Sequence, residues 1–261
     1  MKKTEKLKIK DAFTRASSVY HSKAELQKES AARLAASIEP CKYSIPAGKV
    51  LEMGAGTGFL TRHLIRLFPE REIIVSDLSD AMIRQCKTNI KESDNITFRV
   101  LDAETGEIKK DRYAVIAGNF VAQWFRDPSG ALSRFCEALV PGGYLLMSFP
   151  GSGSFPEWKT NCLKLGLPFT ANPLPDIEEI INRISRGPFQ VNCHEDFQTE
   201  VYGSSIQFFR HLKEIGVSTS VIGKSLSRSD FTKLVTYWDQ SSDNVVKITY
   251  HLCFLAVKKK L

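Results

Sequence analysis

The chain has 261 residues, enough to bury one sizeable core, and its 43% hydrophobic and 25% charged side chains are ordinary for a soluble globular protein. Its formal charge of +7 is confined to the ends: residues 1–10 carry five Lys against one Glu, Lys258–Lys260 add three, and residues 11–257 balance 28 basic against 28 acidic groups. A neutral body argues against nucleic acid or a membrane surface as partner, and the basic ends read as solvated tails. Six dispersed cysteines without C-x-x-C spacing and no paired His-x-x-His indicate neither a metal site nor a disulfide framework. No apolar run approaches a membrane span and the basic amino terminus lacks a continuous apolar segment, so the expected location is cytoplasmic.

Residues 11–38 look helical, with Ala31, Leu34, Ala35 and Ile38 on one face, and 11–40 is expected to form a lid. Val50-Leu-Glu-Met-Gly-Ala-Gly-Thr-Gly58 is an apolar strand breaking into three alternate glycines before an amphipathic helix, the pattern of a cofactor-binding turn. A dinucleotide site has the spacing G-x-G-x-x-G/A, but Phe59 stands at its last small position. Glu52, two residues before Gly54, would repel a diphosphate and suits a ligand carrying an amino group. This E-x-G-x-G-x-G turn resembles motif I of class I methyltransferases, whose ligand S-adenosylmethionine has an amino group, a sulfonium and no phosphate. Glu52, Gly54, Gly56 and Gly58 are the expected contacts to its methionine end. Asp77, ending the strand 72–76 about twenty residues on, is the expected ribose ligand, with Leu78 beside it. The strand 96–101 ends at Asp102-Ala103, which in the methyltransferase pattern meets the adenine edge. The strand 113–118 ends at Asn119, beside the expected point of methyl transfer.

Asp127 as N-cap and Pro128 at the first position open a helix expected to stop at the Pro141-Gly142-Gly143 turn before the strand 144–149. Strand–helix alternation predicts an α/β fold with a parallel sheet and right-handed crossovers; the resemblance to class I methyltransferases implies their Rossmann-like fold, with a mostly parallel seven-stranded sheet whose last strand is antiparallel. After Pro150, residues 156–190 read as helices, one opened by the capping box Asp176-x-x-Glu179. A further helix covers 205–215, and Val245–Val257 reads as the antiparallel strand beside strand five. The expected organisation is a single domain over 1–261, with a cofactor core at 49–150, a substrate-recognition insertion at 151–216 and a closing helix and strand at 217–261.

A narrower resemblance runs nearly end to end. The segments Ala12–Gln27, Asn119–Trp124, Gly153–Glu157, Arg210–Gly216 and Thr249–Phe254 resemble the BioC family, the malonyl-acyl-carrier-protein O-methyltransferases of biotin synthesis. Phe120-Val121-Ala122, Val217 and Met53-Gly-Ala depart mildly from the family pattern. The resemblance implies methyl transfer from S-adenosylmethionine to the free carboxylate of a malonyl thioester on acyl carrier protein. A carboxylic acid with a pKa of about 4 is already ionised, so no general base is needed. The expected catalytic residue is Tyr20, closing over the methyl group, and the expected substrate residues are Gln123, Trp124, Arg210 and Lys213. Arg210 and Lys213 can share one helix face and hold the carboxylate. Scattered Lys164, Arg183, Arg186, Lys224 and Arg228 could form a patch for an acidic carrier, while His211 and His251 read as structural. Alternatives are a methyltransferase for another small carboxylate such as trans-aconitate, or for another small molecule, and a non-catalytic protein that binds S-adenosylmethionine. An NAD-dependent oxidoreductase is disfavoured by Glu52 and Phe59.

Overall fold

The computed structural model describes residues 3–91, 93–220, 223, 225–242 and 245–261. Short apolar runs bounded by turns form β1 (Lys49–Met53), β2 (Ile73–Asp77), β3 (Ile96–Val100) and β4 (Tyr113–Asn119), and the later strands are β5 (Leu139–Pro150), β6 (Phe189–Tyr202) and β7 (Val246–Lys259). They form one sheet in the order β3-β2-β1-β4-β5-β7-β6. β1 to β5 pair in parallel, and β7 lies antiparallel between β5 and β6, the sheet expected from the sequence.

Alternation along the strands separates two cores. Val50, Val75 and Val115 face α2 (Glu25–Ile38), α3 (Phe59–Leu67) and α4 (Asp80–Asn89). Leu51, Ile74 and Ile116 face α5 (Pro128–Ala138) and α7 (Ile177–Ile184). A third cluster joins α6 (Pro156–Lys164), α8 (Ser205–Glu214) and α9 (Arg228–Gln240) to the first half of β7, with Phe208, Leu234 and Trp238 buried at its centre. The capping side chains act as read: Asp127 accepts the Gly130 amide hydrogen and Asp176 those of Glu178 and Glu179. Among the described residues, no helix is long and apolar enough to cross a membrane.

Four expectations are corrected. The basic amino terminus is no solvated tail from Lys3 onward, because α1 (Lys3–Lys23) runs through it, buries Ile9 and commits Lys6 to Asp102 and Glu104 at 2.5 and 2.7 Å. Met1 and Lys2 lie outside the described residues. At the other end Lys259 is tied to Asp111 and to the carbonyls of Glu137 and Leu139. Pro141-Gly142-Gly143 is no turn between elements: α5 ends at Ala138 and Leu139 already pairs with Tyr113, so residues 140–143 form a bulge inside β5 before Tyr144 pairs with Val115. Residues 189–202 form the edge strand β6, where the expected helices over 156–190 stop short; the polar run His194-Glu195-Asp196 and the exposed Phe197 and Val201 break the alternation that marks a strand.

Candidate active site

Strand order reverses between β1 and β4, so the loops leaving them part and open a crevice at the strands' carboxyl ends. Gly54, Gly56, Asp77, Leu78, Asp102, Ala103 and Asn119 line it, together with Tyr20 and Trp124. Gly56 has φ of 55°, and a Cβ there would meet only Tyr20 Cε1, at 3.8 Å, so the loop presents bare main chain to the crevice. Asp77 fixes that loop by accepting the amide hydrogens of Gly56 (2.9 Å) and Ser79 (2.8 Å). Burial raises the Asp77 carboxyl above its usual range, and the amides of Ser79, Gly56 and Leu78 oppose the rise.

Glu52 and Gly58 are not brought to the crevice. Glu52 is 1% exposed, points from β1 into the α3 layer and accepts the Thr61 hydroxyl at 2.7 Å. Burial pushes its carboxyl up to about 8. Gly58, at φ of 95°, caps α3 from a position where a Cβ would lie 3.0 Å from Cys86 Sγ, so it lets α3 and α4 approach. Both support the loop from behind.

α1 covers the crevice with Lys6, Ile9, Phe13 and Tyr20, leaving about 80 Å³ free beneath it. Polar contacts hold it there: Thr14 to Ser79 at 3.0 Å, His21 to Thr57 at 3.0 Å, and Lys6 to Asp102 and Glu104. Burial alone would raise the Asp102 carboxyl, but the Lys6 ammonium and the Thr105 hydroxyl hold it below its usual range. The Tyr20 hydroxyl is pushed far above its usual range by burial, then by the Asp77 charge, so it stays a neutral donor. Asn119 donates to the Gln27 main-chain carbonyl (2.9 Å) and accepts the Ser148 hydroxyl (2.6 Å), which ties α2 to the end of β4.

Beyond Phe120 and Trp124, which wall both spaces, lies a second cavity of about 590 Å³. Phe155, Trp158, Phe209, Phe231 and Tyr250 line it, with Gln27 and Gln123 at its inner end. Arg210 and Lys213 do not reach it: α8 buries Ser205, Phe208 and Leu212, and the two cations project from its exposed side. Arg228, at the start of α9, is the one cation lining this cavity among the described residues. Of the scattered cations that could form a patch for an acidic carrier, Arg183 is paired with Asp127 and Lys224 lies outside the described residues. His251 is structural: its Nδ1 accepts the Gly153 amide hydrogen (3.3 Å), so the other nitrogen carries the proton shared with Glu195 at 2.7 Å. That polarity is opposite to what a metal on the same nitrogen requires, although Glu195, His251 and Cys253 lie close together.

Lys6, Phe13, Gln27, Phe120 and Arg228 complete the two cavities without having been expected there. Gln27 carried a readable signal, a polar residue on the same helical stripe as Ala31, Leu34 and Ile38. The others depend on long-range packing.

Residues 50–143 match the family model described as Methyltransferase domain. The malonyl-acyl-carrier-protein O-methyltransferase of Magnetococcus marinus is 30% identical over 199 residues, covering 76% of this chain and 72% of that protein. The chain belongs to the malonyl-acyl-carrier-protein O-methyltransferase family. The family's Priestia megaterium member is 28% identical over 96% of this chain and 97% of its own. The fold agrees with a solved methyltransferase from Bacillus halodurans, at a TM-score of 0.62 and 14% identity over 87% of this chain and 99% of that one. It also agrees with phosphoethanolamine N-methyltransferase 2 of Haemonchus contortus, solved with S-adenosyl-L-methionine, at a TM-score of 0.52 and 19% identity over 87% of this chain and 52% of that one. Bare main chain at Gly56, acids at Asp77 and Asp102, and the absence of an anion cradle among the described lining residues suit the phosphate-free, cationic nucleoside S-adenosylmethionine.

Proposed function

We propose that the protein methylates the free carboxylate of malonyl-acyl carrier protein with S-adenosylmethionine, an early step of biotin synthesis carried out in the cytoplasm. The observation that carries this reading is the junction at Phe120 and Trp124, where an acidic nucleoside crevice adjoins a long aromatic cavity in a chain of this family. When bound, S-adenosylmethionine supplies the methyl group as the electrophile of an in-line displacement. In this reading Gly54 and Gly56 face its methionine end, Asp77 its ribose, Asp102 and Ala103 its adenine, and Leu78 and Asn119 close the walls. Glu52 and Gly58 act indirectly, by holding the loop. Residues 11–40 form the lid, 49–150 the cofactor core, and the helices after Pro150 the substrate side.

The carboxylate is ionised near neutral pH, so the protein's work is to position it and exclude water. Tyr20, kept neutral by burial, closes the site as a donor and not as a base. The aromatic cavity walls suit the thioester arm, and α1 with Phe13 and Trp124 shields the reacting end from water.

The test is to incubate the purified protein with labelled S-adenosylmethionine and malonyl-acyl carrier protein, acetyl-acyl carrier protein or trans-aconitate. Methyl ester is expected from the malonyl carrier alone. Ester from trans-aconitate but not the carrier would overturn the substrate assignment, and cofactor binding without any product would favour a sensor. Asp77→Ala is expected to weaken S-adenosylmethionine binding by about 1–3 kcal/mol in calorimetry, the cost of a lost hydrogen bond to a buried charge. Unchanged affinity would contradict the ribose role.

A further inference from the structure

Among the described residues, Arg228 is the one cation lining the second cavity. Arg228 is exposed at the first turn of α9, on the solvent side of the cavity, and Lys6 is committed to Asp102 and Glu104 across the crevice. Trp124 lines both cavities, and its indole nitrogen is buried without a hydrogen-bond partner. Gln27 stands on the same cavity, 6% exposed, and its side-chain oxygen is also without a partner. Its main chain is pinned to the end of β4 by the Asn119 bond. Buried polar atoms left unpaired are uncommon in folded proteins, and two residues of one cavity wall that carry them mark the place of a polar ligand.

The chemistry of the pair selects an anion. Indole N–H donates and cannot accept. The carboxamide of Gln27 can turn to offer either its oxygen or its N–H groups. Gln123 is held in one orientation by the bond from its Nε2 to the Phe120 carbonyl at 2.8 Å, which leaves its oxygen and one N–H over.

Building on the malonyl reading, we propose that Trp124 N–H and the Gln27 amide form a neutral clamp for the malonyl carboxylate. Methyl transfer neutralises the carboxylate, so a strong ion pair would stabilise the starting anion more than the transition state and slow the reaction. Neutral donors satisfy one carboxylate oxygen, orient the other toward the methyl group and lose little as the charge disappears. Arg228 then acts at the entrance, on the carrier or its arm, without regard to the acyl group.

The experiment compares full-length wild type with Trp124→Phe, Gln27→Leu and Arg228→Ala. Affinities for malonyl- and acetyl-acyl carrier protein are measured in the presence of S-adenosylhomocysteine, alongside kcat/KM for malonyl-acyl carrier protein. The acetyl carrier lacks only the carboxylate, so the ratio of the two affinities isolates that group. Trp124→Phe and Gln27→Leu are each expected to reduce the malonyl preference about tenfold and to raise KM; Arg228→Ala is expected to weaken both carriers by a similar factor and keep the ratio. A preference retained in both clamp variants, or lost in Arg228→Ala, overturns the clamp. Should Trp124→Phe fail to fold, Gln27→Leu alone carries the comparison. Wild type that forms no ester from the malonyl carrier overturns the substrate reading, and the clamp with it; active wild type with an unchanged ratio in the clamp variants overturns the clamp alone.

Discussion

Two aromatic residues of the second cavity, Phe120 and Phe155, hold left-handed backbones with φ of 54° and 64°. For bulky side chains that conformation costs about 1–3 kcal/mol each, and it persists because neighbours over-determine it. The Phe120 amide is held by the Ser148 carbonyl at 2.7 Å and the Phe155 amide by the Thr249 carbonyl at 2.8 Å, so each turn is tied to the sheet while its ring faces the cavity. Glu52 is a second kind of exception, a carboxyl buried in the α3 layer whose pKa is raised from 4.5 to about 8 by burial. Between those values the folded state keeps a proton that the unfolded state has released. Stability must therefore fall as pH rises through that window, by up to about 1.4 kcal/mol per pH unit, and level off above it. Glu52→Gln removes this dependence, so the stability of wild type relative to the variant is expected to decline from pH 5 to pH 8 in urea titrations. A difference that stays constant with pH would show that the Glu52 carboxyl is ionised throughout.

Among the elements, α1 is the one whose polar side chains touch the cofactor crevice along its length. Lys6, Thr14 and His21 meet the loops after β3, β2 and β1 in turn. With about 80 Å³ free beneath it, the helix must lift to admit a nucleoside. Replacing Lys6 by Met removes a largely buried ion pair made only in the closed position. S-adenosylhomocysteine is expected to dissociate faster by about five- to thirtyfold, the equivalent of about 1–2 kcal/mol. Stopped-flow release with an unchanged rate would show that α1 does not gate the site. Helices with strong amphipathic patterns and capping residues, such as α5 and α7, were legible in the sequence, as were the four short strands of the cofactor core. β6 was not, because a sheet edge with both faces wetted has little reason to alternate.

At the scale of the molecule, the two cores on either side of the sheet support the crevice at the strand ends, and the third cluster, under α6, α8 and α9, supplies walls of the second cavity. Trp238 is 2% exposed within that third cluster. Trp238→Ala is expected to destabilise the protein by about 3–5 kcal/mol. Under conditions where the variant stays folded, affinity for malonyl-acyl carrier protein should fall while that for S-adenosylmethionine holds. Parallel loss of both, measured by calorimetry, would mean that the three cores do not divide the labour in this way. The net charge also changes meaning at this scale, because Lys6 and Lys259 are structural cations and not a loose surplus.

Local chemistry alone determined the β1 turn, the acids closing β2 and β3 and the caps of α5 and α7, because strand periodicity, glycine conformations and capping bonds act over a few residues. Only tertiary structure decided that Glu52 faces α3 and not the crevice, that Arg228 and not Arg210 or Lys213 lines the second cavity, and that Gln27 and Trp124 line that same cavity. Each of those outcomes depends on which face of an element packs inward and on contacts between residues tens to hundreds of positions apart. Sequence spacing carries no measure of either.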